Sequence, residues 1–175
     1  GIRSAAVQGS IMRRLVSDGY IKVWSLSMGR GRPWSLVEPN QKAFDEYGVK
    51  WKKSRGSLPA RAATFFLRKK LTGIGWQVIL EGMVNGKQVD LLCRDADGRL
   101  ITVEIAHSDG HEMHNALACL ESDEVLAHVV VCTTKKVYDV LRDRFSEDRS
   151  RVVVMTLASA LKLDWTNGLD GPKDR

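Results

Sequence analysis

Apolar positions in the first fifty residues recur in two periods. In "SAAVQGSIMRRLVSDGY", Val7, Ile11, Leu15 and Val16 fall at helical spacing, with Ser4 placed to cap the helix and Gly19 to end it. "YIKVWSLS" and "PWSLVE" then read as two strands around a glycine-rich basic tip, "MGRGR", and "NQKAFDEYG" as a short helix stopped by Gly48. "VKWKKSRGSLP" breaks the pattern: it is basic, carries Gly56 and Pro59, and has no amphipathic period, as expected of a linker. A second unit follows. "PARAATFFLRKKLTGIG" predicts a helix with Phe65, Phe66 and Leu67 inward, and "WQVILEGMV" a strand. "NGK" carries the Asn-Gly hairpin signal before the strands "QVDLLCR" and "RLITVEIA". "DGHEMHNALACLES" is a helix, "VLAHVVVCTT" a buried strand, "KKVYDVLRDRFSED" a helix, and "RVVVMTLASAL" a strand and its exit. The order α-β-β-β-α-β-α-β implies an α/β unit with a mixed sheet and helices on both faces. The expected division is a region at 1–50, a linker at 51–59, the α/β unit at 60–163, and a polar, frayed tail at 164–175.

Composition narrows the setting. The 175 residues are 43% hydrophobic, enough for a real core. Cys93, Cys119 and Cys132 are widely spaced and apolar in context, with no CxxC pair, which argues for a reducing, cytoplasmic setting and against a disulfide framework. No apolar run approaches the roughly 20 residues of a membrane span, and no signal peptide is visible. The chain does not open on Met, which fits a piece of a longer protein. Charge is uneven. Residues 1–56 hold 11 Lys and Arg against 4 Asp and Glu, residues 57–72 add 4 cations and no acid, and residues 73–175 hold 12 against 17. A basic front on an acidic back points to a polyanionic partner such as DNA.

The stretch "VDLLCRDADGRLITVEIA" carries the candidate chemistry. A turn over Ala96-Asp97 with Gly98 in the left-handed region pairs Asp95 with Arg99. Counting back from that turn sets Asp90 opposite Glu104 and Gln88 opposite Ala106, with Val89, Leu91, Cys93, Ile101, Val103 and Ile105 on the other face. Opposed carboxylates have Cβ atoms roughly 4.5–5.5 Å apart and repel. They need a cation, a shared proton or open water, and a divalent ion with oxygen ligands, Mg²⁺ or Mn²⁺, is the simplest answer. A wet hairpin end where the two never meet is the bland alternative.

Two resemblances extend this. "IMRRLVSDGYI" followed by "GRGRPWSLVEPNQKAFDEYG" resembles the second half of a winged helix-turn-helix domain over about 45 residues, with the two preceding helices expected upstream. That resemblance implies that Gln8, Ser10, Arg13 and Arg14 lie near DNA, with Arg30 and Arg32 at the wing. Residues 57–160 resemble the PD-(D/E)xK nuclease-like, or restriction-endonuclease-like, superfamily, which implies an α-β-β-β-α-β core. Asp90 matches the acid of the second core strand and Glu104 that of the third. A metal held by both would activate water and offset charge on a phosphate. Glu81 and Gln88 are further site candidates, and Lys69 and Lys70 are candidates both for reaching the acids and for DNA contact. The departure is Ala106, where the superfamily places lysine. Lys87 points to the opposite face by strand alternation, and "GHEMHNALACLES" offers no Lys or Arg. His107, His111 and Asn115 are auxiliary candidates: a histidine can serve as a general base, while "HSDGHEMHN" with His114 lacks a structural zinc pattern.

Three readings follow. The first is a DNA-binding protein whose nuclease-like domain is a Mg²⁺- or Mn²⁺-dependent endonuclease with a rearranged site. The second is a catalytically inactive module of the same fold that docks DNA or protein subunits in a larger machine, in a restriction, repair or mobile-element setting. The third is a winged-helix transcription regulator with a sensor domain.

Overall fold

A computed structural model of the chain describes residues 5–29, 31–50, 56–108, 112–146 and 151–167. Helix α1 (Ala5–Ser17) ends in a left-handed Gly19, with the Tyr20 N–H on the Leu15 carbonyl (2.9 Å) and the Gly19 N–H on that of Val16 (3.1 Å). Strands β1 (Ile21–Leu26) and β2 (Trp34–Pro39) pair antiparallel, and α2 (Gln41–Glu46) follows. Helix α3 (Leu58–Gly73) starts inside the stretch expected to be linker. The Ser57 hydroxyl caps it by accepting from the Ala60 N–H at 3.3 Å, and Pro59 sits in the first turn, where no helical N–H is lost.

Strands β3 (Gln77–Val84), β4 (Lys87–Arg94), β5 (Leu100–Ala106), β6 (Val125–Cys132) and β7 (Val152–Thr156) form one sheet in that order. The first three run antiparallel, and β5, β6 and β7 run parallel. The β3–β4 turn has Asn85 and Gly86 at φ 46° and 72°, as an Asn-Gly hairpin demands. Helices α4 (Glu112–Leu120), α5 (Lys135–Arg144) and α6 (Leu157–Lys162) complete the unit. One face packs on α3 and α6 through Leu67, Leu71, Leu91, Val103, Ile105, Val129 and Leu157. The other packs on α4 and α5 through Ala106, Ala116, Val130, Val137 and Leu141. This is a mixed α/β arrangement, a five-stranded sheet between helices, in the order α-β-β-β-α-β from α3 to β6.

Several expectations change. Phe65 is 61% exposed rather than inward, because three successive helical residues cannot share a face. The buried stripe of α3 is Pro59, Ala63, Leu67 and Leu71. The segment after β7 is helix α6, capped by the Thr156 hydroxyl, which accepts from Ser159 N–H at 3.1 Å. The polar stretch from 164 hides Trp165, 2% exposed in the main core, with its indole N–H on the Ala160 carbonyl at 2.8 Å. The first hairpin is not a detached body. Leu26, fully buried, joins the same apolar cluster as α3 and the sheet. Arg61 of α3 pairs with Glu38 of β2, and Glu38 also accepts the Trp24 indole N–H at 2.9 Å.

Candidate active site

The β4–β5 turn forms as the sequence implies. Gly98 is at φ 80°, its N–H bonds the Asp95 carbonyl, and Asp95 N–H bonds the Arg99 carbonyl, both at 3.1 Å. The ladder runs Arg94↔Leu100, Cys93↔Ile101, Leu92↔Thr102, Leu91↔Val103, and pairing ends there. The next position sets Asp90 beside Glu104, but Asp90 Oδ2 accepts the Ile105 backbone N–H at 2.7 Å, so a side chain replaces the main-chain partner. Beyond this point β4 leaves β5.

The bend has a second cause on β3. Pairing of β3 with β4 places Glu81 opposite Asp90, yet Glu81 is in the left-handed region at φ 52°, a costly conformation for a non-glycine residue. Beside it, Gly82 comes so close to β4 that an added Cβ would stand 2.3 Å from Leu92 Cβ. The hairpin tip then wraps toward α4, where the Asn85 amide donates to the Ala118 carbonyl at 3.0 Å. This corrects the expected placement of Val89. It packs with Val84, Cys119 and Val125 on the α4 side, while Leu91 and Cys93 stay on the α3 side. A strand that coils sharply at Asp90 cannot keep strict alternation through it.

Glu104 lies in the breach, 8% exposed. Burial, then the charge of Asp90 and a carboxyl–carboxyl hydrogen bond with it, push Glu104 up to about 8. The Asn115 amide donates to Glu104 Oε1 at 3.1 Å and, with the Asp90 backbone N–H, eases the shift in part. Thr102, Cys119 and His128 complete the buried polar ground beneath. Thr102 Oγ1 meets His128 Nδ1 at 2.8 Å, and burial holds the imidazole neutral, down to about 4. His128 Nε2 has no partner among the described residues. Sequence reasoning passed over this cluster, although a histidine inside "VLAHVVVC" was the available signal.

The remaining candidates spread out. Glu81 and Gln88 are exposed, and the departing β4 carries Gln88 away from the register partner Ala106. Lys69 and Lys70 stand on α3, across the sheet from Glu104. Lys69 is exposed and Lys70 donates to the Leu161 carbonyl at 2.7 Å. Ala106 is fully buried. His107 points to the opposite side from Glu104, with Nδ1 2.8 Å from Thr133 Oγ1 and its ring 5.6 Å from that of Trp24. Burial and the nearby Lys22 charge lower its pKa. Gln8, Arg13 and Arg32 are exposed, as is Arg14, which lies 3.6 Å from Asp18. Arg30 and His111 lie outside the described residues.

The donor chemistry fits a hard divalent ion: two carboxyl groups meet at a bend, and a dication can take the place of the proton that burial favours on Glu104. Mg²⁺ is commonly held by one or two carboxylates, with water and phosphate oxygens completing its shell. Among the described residues, no three His, Cys, Asp or Glu side chains gather to hold a metal. A hollow of about 880 Å³ lined by Ile11, Leu15, Tyr20, Phe44 and Tyr47 lies away from the acids and is mainly apolar. Among the described residues, no helix is long and apolar enough to cross a membrane.

No family model and no curated protein sequence matches the chain. Among solved structures, the chain is similar to a repair endonuclease from Pyrococcus abyssi at 17% identity and a TM-score of 0.38, covering 78% of this chain and 64% of that one. It is also similar to EndoMS in a complex with double-stranded DNA, at 15% identity and a TM-score of 0.40, covering 78% and 65%. The chain thus spans just under two thirds of either of these structures.

Proposed function

We propose that the protein binds DNA and hydrolyses phosphodiesters at the bend between β4 and β5, with Mg²⁺ or Mn²⁺ held by Asp90 and Glu104. The observation that carries this reading is the meeting of two carboxyl groups, half-buried Asp90 and buried Glu104, where β4 and β5 part. Such an ion would activate a water and offset charge growing on the phosphate. The chain's own part is to orient the pair: the Ile105 N–H fixes Asp90, and the Asn115 amide holds Glu104. The candidate DNA contacts are Gln8, Arg13, Arg14, Arg30, Arg32 and Lys69 of the basic front half; its hairpin and α3 pack on the sheet face opposite Glu104, so DNA held there would have to pass the sheet's edge to reach the pair.

The test incubates supercoiled and linear DNA with the protein and Mn²⁺ or Mg²⁺, beside Asp90→Ala and Glu104→Ala. Cleavage by the parent protein that drops at least about 100-fold in both variants supports the reading. Cleavage that persists in either variant overturns it. Arg13→Ala and Arg32→Ala should each weaken DNA affinity and flatten its salt dependence. Unchanged affinity in both would remove the N-terminal contacts from the proposal.

One observation favours a second reading, an inert module that docks DNA or protein subunits. Ala106 is sealed in the core, so the superfamily's lysine has no seat there. DNA binding without cleavage under any divalent ion would select this reading.

A further inference from the structure

We propose that Asn115 is a positioning residue for Glu104, supplying from α4 the hydrogen-bond donor that strand position 106 has no room to carry. This inference rests on the reading of Asp90 and Glu104 as a metal site. Its basis is the way α4 sits on β5. Ala106 and Ala116 are both fully buried in one apolar cluster with Val130 and Cys132. A lysine at 106 would have to thread its chain and charge into that cluster, and burying an unpaired ammonium is expensive. The helix is therefore seated where the longer side chain would otherwise run.

Contacts on either side fix the seat. One residue before Ala116, the Asn115 amide donates to Glu104 Oε1 at 3.1 Å. One turn after Asn115, the fully buried Cys119 shares a hydrogen bond with Thr102. Asn115, Ala116 and Cys119 thus meet Glu104, Ala106 and Thr102, which lie on one face of β5. An amide in that place also differs from an ammonium in kind. It directs one carboxylate oxygen without adding a positive charge beside a dication.

The experiment is Mn²⁺ titration by calorimetry on the whole protein, with EPR of the bound Mn²⁺, for the parent, Asn115→Ala and Asn115→Gln. Loss of an outer-shell partner typically weakens metal affinity about 10–100-fold. Asn115→Ala should therefore bind Mn²⁺ at least about tenfold more weakly and with an altered EPR line shape, at an unchanged melting temperature in EDTA. Asn115→Gln, which keeps the amide, should restore affinity to within about threefold of the parent. If Asn115→Ala fails to fold, Asn115→Leu, similar in shape and without a donor, is read in its place. Parent-like affinity in the donor-less variant overturns the inference alone, as does a weakening that Gln does not relieve. A parent protein that binds Mn²⁺ no better than Asp90→Ala overturns the metal site itself, and this inference with it.

Discussion

The two ends of the β4–β5 hairpin each bury a carboxylate, and they treat it in opposite ways. At the closed end Asp95, 9% exposed, pairs with Arg99 Nε at 2.7 Å and accepts the backbone N–H groups of Asp97 and Arg99 at 3.0 and 2.8 Å. At the open end Glu104, 8% exposed, faces another acid. The first carboxylate is satisfied by its own chain and holds a turn together. The second meets another carboxyl at the point where the strands part. Burial therefore does not decide how an acid is satisfied. What separates the two is the partner each meets, a guanidinium at one end and a second carboxyl at the other.

This contrast can be broken at its geometric source. Gly82→Ala should have the largest effect, since its Cβ would fall 2.3 Å from Leu92 Cβ. A destabilisation of about 3 kcal/mol is expected from such overpacking, a fall in melting temperature of about 9 °C, with loss of any Mn²⁺ binding. A parent-like melting temperature would mean that the bend is soft.

The two acids should respond with opposite sign. Asp95→Ala should cost about 2 kcal/mol by leaving the backbone N–H groups of Asp97 and Arg99 without the carboxylate they bond. Glu104→Gln should stabilise the metal-free protein near pH 8. In the folded chain Glu104 titrates near 8, well above an unfolded glutamate. Between about pH 4.5 and 8 the unfolded state therefore releases a proton that the folded state keeps, and stability falls as pH rises. Gln removes that slope, so its gain should be greatest at pH 8 and vanish near pH 4. His128, held neutral down to about 4, has the reverse slope below about pH 6.5, where the unfolded state gains a proton. The window from 6.5 to 8 thus isolates Glu104. Melting curves across it that show no gain for Glu104→Gln would refute the proton held on Glu104.

Two further effects sharpen the comparison. Saturating Mn²⁺ at about 100 times its dissociation constant should add about 2.7 kcal/mol to the parent and nothing to Glu104→Ala. Gly98→Ala, which forces a side chain into φ 80°, should cost about 1 kcal/mol at the closed end and leave Mn²⁺ affinity unchanged.

Much of this hairpin was legible beforehand. "DADG" fixes the turn, the apolar set Leu91, Cys93, Ile101 and Val103 on one face fixes the register, and together they bring Asp90 to Glu104. The same alternation misplaced Val89, because a local pattern cannot announce where a strand stops pairing. Glu81 carried no warning either: a left-handed backbone at a non-glycine strand residue has no signature in the sequence. Ala106 read as a missing lysine. Only the helix standing on it turns that absence into a steric fact. Phe65 and Trp165 were lost for a plainer reason, since an aromatic residue's hydropathy says little about which neighbour will cover it.

The burial of Leu26 in the main core has an evolutionary side. A hairpin that plugs its neighbour's interior cannot be shuffled between proteins as a free cassette. Excising residues 1–56 would remove Leu26 from the cluster it forms with Leu67 and Leu71 and expose that face of the five-stranded sheet to water. The hairpin of the basic front and the sheet of the acidic back thus share one interior.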